Sequence, residues 1–154
     1  MIRRPALAPL VYGLLLSAMA AGQLASFDTF REALDDYDLF AGDASTAAVI
    51  VVVELAAALG LLASASVSRS IGRAAGITGL GVAGFWSILA AQAFARGLEL
   101  DNCGCFGAYL AQPLRWWVLV EDAYMLVLAW YAAAAAGLPI PTPALPRRRT
   151  QEAT

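Results

Sequence analysis

One uncharged run decides the fold of this chain: residues 74–95 read AAGITGLGVAGFWSILAAQAFA. A helix needs about 20 apolar residues to cross the roughly 30 Å hydrocarbon core of a bilayer. In lipid, every backbone polar group must find its hydrogen-bond partner inside the protein, so such a run is expected to be helical. The run therefore predicts a transmembrane helix.

Three further runs have the same apolar character, and Glu54 is their only charged residue. They cover residues 5–27, 44–68 and 123–146. Of the 154 residues, 60% are hydrophobic and 14% are charged, whereas a soluble domain carries about 25% charged residues. This composition excludes an ordinary water-soluble globule.

The predicted fold is all-α, an integral membrane four-helix bundle. Its domain is expected to cover residues 1–138, with spans at about 7–24, 46–64, 74–96 and 114–136. Residues 139–154 are rich in proline and arginine, a composition that predicts a disordered basic tail on the cytoplasmic side.

The first apolar run has a second interpretation. Arg3 and Arg4, the apolar stretch and the small-residue string SAMAAG together could mark a cleavable signal peptide. The apolar run continues well past Ala20 and is long enough to span a bilayer. Retention as the first span is therefore the favoured interpretation.

The distribution of arginine predicts the orientation in the membrane. Seven of the ten arginines flank the spans at alternate loops or ends, and they are Arg3, Arg4, Arg69, Arg73, Arg147, Arg148 and Arg149. Because positive charge beside spans tends to stay in the cytoplasm, we expect a multi-pass protein of the cell (inner or plasma) membrane with both termini cytoplasmic. Cys103 and Cys105 then lie outside the cytoplasm, where thiols can be held oxidised.

A short amphipathic outer helix is predicted between the first two spans. Phe27, Phe30, Leu34 and Tyr37 follow one another at spacings of three, four and three, which is one stripe of a helix. Thr29 and Glu32 are spaced as a capping box at its start. We expect the stripe to pack on the bundle. The acidic opposite face is either simply solvated or a docking surface for a partner.

The stretch DNCGCFG, residues 101–107, holds both cysteines of the chain, with Gly104 between them. A disulfide needs Cα atoms about 4.4–6.8 Å apart, and two extended residues span about 7 Å at most, so the pair can close if Gly104 bends. So small a ring should be strained and therefore readily exchanged, and it gives little entropic stabilisation. Reversible thiol–disulfide exchange at Cys103 and Cys105 is favoured over a static pair and over Cu(I) binding by two thiolates.

Charged residues around the pair are expected to modify its chemistry. Asp101 should raise the pKa of a neighbouring thiol, and Arg96 or Arg115 could offset this if the loop folds back toward it. Asp122, or Glu121 beside it, could form an ion pair with one of these arginines beneath the loop.

The remaining ionisable residue in a span is Glu54. An ionisable side chain in the middle of a span is costly. Glu54 is therefore expected to be hydrogen-bonded within the bundle or to serve the site, through proton handling or a structural ion pair.

The chain resembles the MauE/DoxX-like family of redox-associated membrane proteins over roughly residues 8–136. The resemblance is carried by GQLASFDTFREALDDYDLF after the first span, the glutamate of VVVELAAALG, and DNCGCFG followed by LRWWVLVED. It implies a dithiol role for Cys103 and Cys105 within an intact CGCFG motif that includes Phe106 and Gly107, and a thioredoxin-like partner. Family members often carry a lysine where this chain has Gln23, and a proline shortly before the glutamate that corresponds to Glu54, where this chain has valines. The first difference puts a polar contact from the first helix in doubt.

The predicted function is thiol–disulfide exchange with an extracytoplasmic thioredoxin-like protein or an exported thiol protein, as a thiol–disulfide oxidoreductase. With two cysteines the chain has no second disulfide to relay electrons. Electrons must pass to a quinone in the bilayer or to another protein, and the protein acceptor is favoured. The alternative is a non-catalytic membrane subunit or assembly factor whose CGC bridge shapes a docking loop.

Overall fold

A computed structural model describes residues 7–39, 42–64 and 66–141. Five helices run along this part of the chain, and they are α1 (Leu7–Ala25), α2 (Phe27–Asp35), α3 (Ala44–Leu62), α4 (Arg69–Ala95) and α5 (Trp116–Ala135). By length and composition, α1, α3, α4 and α5 can each cross a membrane. The predicted all-α bundle with four spans and a short extra helix is confirmed, and the chain is a multi-pass membrane protein.

The span boundaries differ from the predicted ones by at most two residues, except at the start of α4. α4 begins at Arg69, five residues before the predicted position 74, and its first two turns contain Arg69 and Arg73 at the end of the bundle. There the Arg73 Nε donates a 2.7 Å hydrogen bond to the Gly137 carbonyl just after α5. α5 begins at Trp116, two residues later than predicted.

Small residues let α4 pack closely on its neighbours. A Cβ added at Gly76 would lie 3.0 Å from the Ala133 Cα of α5, and one at Gly79 would lie 3.0 Å from the Tyr12 ring of α1. Gly81 and Gly84 face open space instead. Part of the glycine pattern of α4 therefore reflects close helix packing, as lipid-embedded helices require.

The aromatic stripe of α2 packs on the bundle as predicted. Phe30, Leu34 and Tyr37 are almost fully buried. The predicted capping box is wrong, because α2 begins at Phe27 and Thr29 lies inside its first turn. The residue before the helix is Ser26, whose hydroxyl bonds the Gly22 carbonyl and the Ala108 N–H instead of capping α2.

The cysteine loop and the two arginines of α4 lie at opposite ends of the bundle. The loop from residue 96 to 115 follows the end of α4 and meets α2 and the end of α1, whereas Arg69 and Arg73 lie at the start of α4. The predicted orientation requires this separation, because it puts the arginines on the cytoplasmic side and the cysteines on the opposite side. Arg3, Arg4, the tail from residue 142 and its three arginines lie outside the described residues.

Candidate functional site

Backbone hydrogen bonds give the cysteine loop its shape. The Cys103 N–H donates to the Gln112 carbonyl at 2.8 Å, and the Leu114 N–H donates to the Leu100 carbonyl at 2.8 Å. These two bonds draw the ends of the loop together. The segment between them, which contains both thiols, is held as a compact lobe beside α1 and α2.

Asn102 and two glycines form the turn around the thiols. The Asn102 Oδ1 accepts from the Gly104 N–H at 3.0 Å, and the Asn102 Nδ2 donates to the Gly107 carbonyl at 3.1 Å. Gly104 has φ +81° and Gly107 has φ +61°, a backbone region that glycine enters without the steric cost of a Cβ. The predicted bend at Gly104 is therefore present.

The loop lies directly on the C-terminal end of α1. The Phe106 carbonyl sits where a Cβ of Gly22 would be, and a Cβ on Gly107 would collide with the Ser26 hydroxyl. That hydroxyl donates to the Gly22 carbonyl at 2.8 Å and accepts from the Ala108 N–H at 2.8 Å. Backbone therefore packs on backbone here, which only glycine permits.

Two buried side chains bind the carbonyls of the two cysteines. The Tyr37 hydroxyl donates to the Cys103 carbonyl at 2.9 Å, and the Gln23 Nε2 donates to the Cys105 carbonyl at 3.1 Å. Burial, with the Cys105 and Cys103 thiols adding to it, raises the pKa of the Tyr37 phenol well above its ordinary value, so Tyr37 stays a donor. The polar contact from the first helix, which the absence of a lysine put in doubt, is supplied by Gln23.

The two thiols lie within hydrogen-bonding reach of each other. Both cysteines carry free thiols in the structure; Cys103 is buried and Cys105 is half-buried. A hydrogen bond between the two thiols lowers the pKa of Cys103, and the same bond together with burial raises the pKa of Cys105. The carboxyl that acts on both thiols is Asp122 of α5 rather than the exposed Asp101.

This coupling gives a first expected result. Cys105→Ser and Cys105→Ala each leave Cys103 as the only thiol, but only serine keeps a hydroxyl that can donate to it. Without a donor the pKa of Cys103 rises, so the alkylation rate should reach its half-maximum about 1 pH unit higher in Cys105→Ala, given about 1.4 kcal/mol for such a bond. The measurement is iodoacetamide labelling of the detergent-solubilised protein against pH. Equal midpoints in the two variants would show that the contact has no effect on ionisation.

Arg96 serves a different contact from the predicted one. Its guanidinium pairs with Asp38 at 2.8 Å and donates to the Tyr37 carbonyl at 3.1 Å. It forms no ion pair with Asp122, whose Oδ2 is buried without a hydrogen-bond partner. Arg96 therefore fixes the segment after α2, which carries Tyr37, and acts on the thiols only through that residue.

Glu54 is fully buried at the centre of the bundle. Its Oε1 accepts a 2.6 Å hydrogen bond from the Trp86 indole N–H of α4. Gln23, which holds the Cys105 carbonyl, is its other polar neighbour. Glu54 and Gln23 therefore place polar groups between the centre of the membrane-spanning region and the cysteine loop.

A cavity of about 510 Å³ lies between α1, α5 and the cysteine loop. Cys103 and Cys105 line it together with Asp122. The rest of its wall is mainly apolar and includes Leu15 and Met19 of α1. The thiols thus border a cavity inside the membrane protein in addition to the loop surface.

With this geometry the comparison with known proteins can be made. The family described as methylamine utilisation protein MauE matches residues 5–136, most of the chain. The chain belongs to the MauE family. Membership implies a role in methylamine utilisation or related redox-associated processing by a membrane protein. No curated protein and no solved structure matches the chain.

Several residues of this MauE-family site had no role in the sequence-based prediction. Ser26, Asn102 and Gln112 fix the loop, yet none carries a charge or a reactive group. Only Asn102 could have been singled out from the sequence, because an asparagine side chain in a loop often accepts a hydrogen bond from the backbone N–H two residues later, here that of Gly104. Among the described residues no group of three or more histidine, cysteine, aspartate or glutamate side chains could hold a metal ion; a Cu(I) site of two thiolates would need no such group.

Proposed function

We propose that this MauE-family protein exchanges disulfides with exported thiol proteins through Cys103 and Cys105. The observation that carries the proposal is the contact between the two thiols, which lie within hydrogen-bonding reach of each other in a loop held by Asn102. Two thiols that are already in contact are suited to closing into a bridge and reopening during exchange. The loop then faces the extracytoplasmic side and both termini are cytoplasmic, as the arginine distribution predicts.

The way in which the loop is held argues against a merely structural bridge. Its turn is fixed by Asn102 and its two cysteine carbonyls by Tyr37 and Gln23. None of these bonds involves a sulfur atom. Because the loop keeps its shape without a disulfide, stabilising the loop gives no reason for two thiols at these positions.

Accessibility and acidity assign different roles to the two sulfurs. In the oxidised form, a substrate thiolate attacks the sulfur of Cys105, the residue that is only half-buried. The Sγ–Sγ bond breaks and Cys103 leaves as a thiolate, favoured by its lowered pKa, because a leaving thiol of lower pKa departs faster. A second substrate thiolate then attacks the mixed disulfide and releases Cys105. The substrate gains one disulfide, and the protein gains two electrons and is left as a dithiol.

A thioredoxin-like protein with its own exposed thiols fits this exchange as an immediate partner. The exposed face of α2 is mainly acidic: Asp28, Glu32 and Asp35 border a groove on it together with Arg31, which pairs with Asp28 at 3.6 Å. A partner with basic residues around its cysteines would be oriented by this surface. The effect on association should weaken as salt is added, because exposed charges are screened.

Trapping of mixed disulfides tests the proposal. In Cys103→Ser the remaining Cys105 can attack a substrate disulfide but has no neighbour to resolve the product, so a covalent adduct should accumulate on a non-reducing gel. Cys105→Ser should trap at least about fivefold less, because Cys103 is only 4% exposed. The double variant controls for thiol-independent adducts, since the chain has no other cysteine.

The alternative function predicts a different outcome of the same experiment. If the protein is an assembly factor with a docking loop, neither single variant should trap a partner. Maturation of exported thiol proteins should then proceed at the wild-type rate in both. That pair of results would refute thiol exchange.

A further inference from the structure

The cavity between α1 and α5 opens toward the hydrocarbon of the bilayer. Val120 and Tyr124 border it, and both are more than half exposed on a membrane-spanning helix. A molecule that enters this cavity must therefore be one that dissolves in lipid. Its volume of about 510 Å³ lies within the range of small-molecule sites in proteins.

The wall of the cavity carries reactive and polar groups, with Gln112 and Glu121 among its other polar lining residues. Both thiols line it, and so does Asp122, which is 94% buried, since its exposed fraction is 6%. The Asp122 Oδ2 has no hydrogen-bond partner. A buried polar atom without a partner is costly, so this oxygen indicates a ligand with a polar group that reaches it.

We propose that the cavity binds a membrane-soluble quinone, which reoxidises the Cys103–Cys105 dithiol. The inference rests on the proposed exchange, because each exchange leaves two electrons on the pair and the chain has no further cysteine to take them. A quinone combines a flat apolar ring with oxygens that Asp122 can bond: the carboxylate accepts from a quinol hydroxyl, and a protonated carboxyl donates to a quinone carbonyl.

The proposed step balances. Two thiols lose two electrons and two protons, and the Cys103 Sγ–Cys105 Sγ bond forms. The quinone takes up both electrons and both protons, and its two carbonyl oxygens become the hydroxyls of the quinol. The quinol then leaves through the opening between Val120 and Tyr124 into the bilayer. The acceptor is thus a small lipid-soluble molecule, in contrast to the protein acceptor favoured from the sequence alone.

The test separates this step from protein exchange. The full-length protein is placed in phosphatidylcholine nanodiscs, oxidised with diamide, and given a peptide with two cysteines; one peptide disulfide per protein measures exchange without quinone. The protein is then reduced, desalted without oxygen and given decylubiquinone, and the return of the disulfide is followed by thiol alkylation. We expect reoxidation that depends on the decylubiquinone concentration and saturates.

Two matched variants locate the site. Leu15 lines the cavity, whereas its neighbour Leu14 points to lipid and does not. Leu15→Trp should slow quinone-dependent reoxidation at least about tenfold, and Leu14→Trp should leave it unchanged. Asp122→Leu should raise the half-saturating decylubiquinone concentration about tenfold, more than Asp122→Asn does.

Each outcome bears on one of the two proposals. If exchange occurs but decylubiquinone does not restore the disulfide, the quinone proposal is wrong and the exchange proposal stands. The quinone proposal also fails if Leu15→Trp and Leu14→Trp reoxidise equally, as they would if the cavity merely held a lipid tail. If the oxidised protein forms no peptide disulfide, the exchange proposal itself fails.

Discussion

Gly107→Ala is expected to detach the cysteine loop from α1. Alanine at this position meets two costs. The first is the positive φ of +61°, worth about 1–2 kcal/mol for a residue with a Cβ. The second is the collision of the new Cβ with the Ser26 hydroxyl and the Gly22 backbone, and overpacking of this kind costs about 1–3 kcal/mol.

Gly97→Ala is the matched control for this variant. Gly97 has a similar φ of +70°, but a Cβ there would meet nothing within 4 Å. The two variants therefore share the backbone cost and differ in the collision. An extra cost of about 1–3 kcal/mol corresponds to a roughly fivefold to 150-fold larger open population of the loop.

The measurement is the alkylation rate of Cys103 in the folded protein, because this buried thiol reacts when the loop opens. We expect at least about fivefold faster labelling in Gly107→Ala than in Gly97→Ala. Unfolding of both variants is measured in parallel, so that loss of the loop is distinguished from loss of the bundle. Equal labelling rates would mean that the loop does not rest on α1 as described.

The helical architecture could be predicted from the sequence because few backbone conformations are stable in lipid. Charge-free runs as long as residues 74–95 have one stable form in a bilayer, the helix, so four spans followed directly. The stripe of Phe30, Leu34 and Tyr37 likewise had one face to bury. The ends of helices were less determined, since the start of α4 at Arg69 depends on what the arginine side chains meet after α5.

The reactive pair was also predictable, but its surroundings were not. Cys103 and Cys105 are the only thiols, so any redox chemistry of the chain's cysteines must use them. The partners of Arg96 and Asp122 depend on the path of the loop in three dimensions, and the predicted pairing between them is replaced by Arg96 with Asp38. Gln23 could be singled out only as a departure from the family pattern, and its contact with Cys105 depends on the packing of α1.

Glu54→Leu is expected to lower the free energy of unfolding by about 3.5–5.5 kcal/mol. The variant leaves the Trp86 indole N–H buried without its acceptor, a loss of about 1–2 kcal/mol for a hydrogen bond within a membrane bundle. If α3 dissociated from the bundle, the Glu54 carboxyl would be exposed to lipid, which costs about 2.5–3.5 kcal/mol for an acidic residue at a helix centre. This cost favours the assembled bundle, and the leucine variant no longer has it. Glu54→Gln keeps an acceptor for Trp86 and should lose less than half as much.

A double-mutant cycle identifies the contact responsible. Glu54→Leu combined with Trp86→Phe should lose about 1 kcal/mol less than the sum of the single losses, because both remove the same hydrogen bond. Trp130→Phe is the matched control, since the Trp130 indole donates to the Pro141 carbonyl at 3.0 Å rather than to Glu54. Its effect should add to that of Glu54→Leu. Reversible unfolding in mixed detergent micelles gives these free energies, and additivity with Trp86→Phe would show that Glu54 is held by something other than the indole.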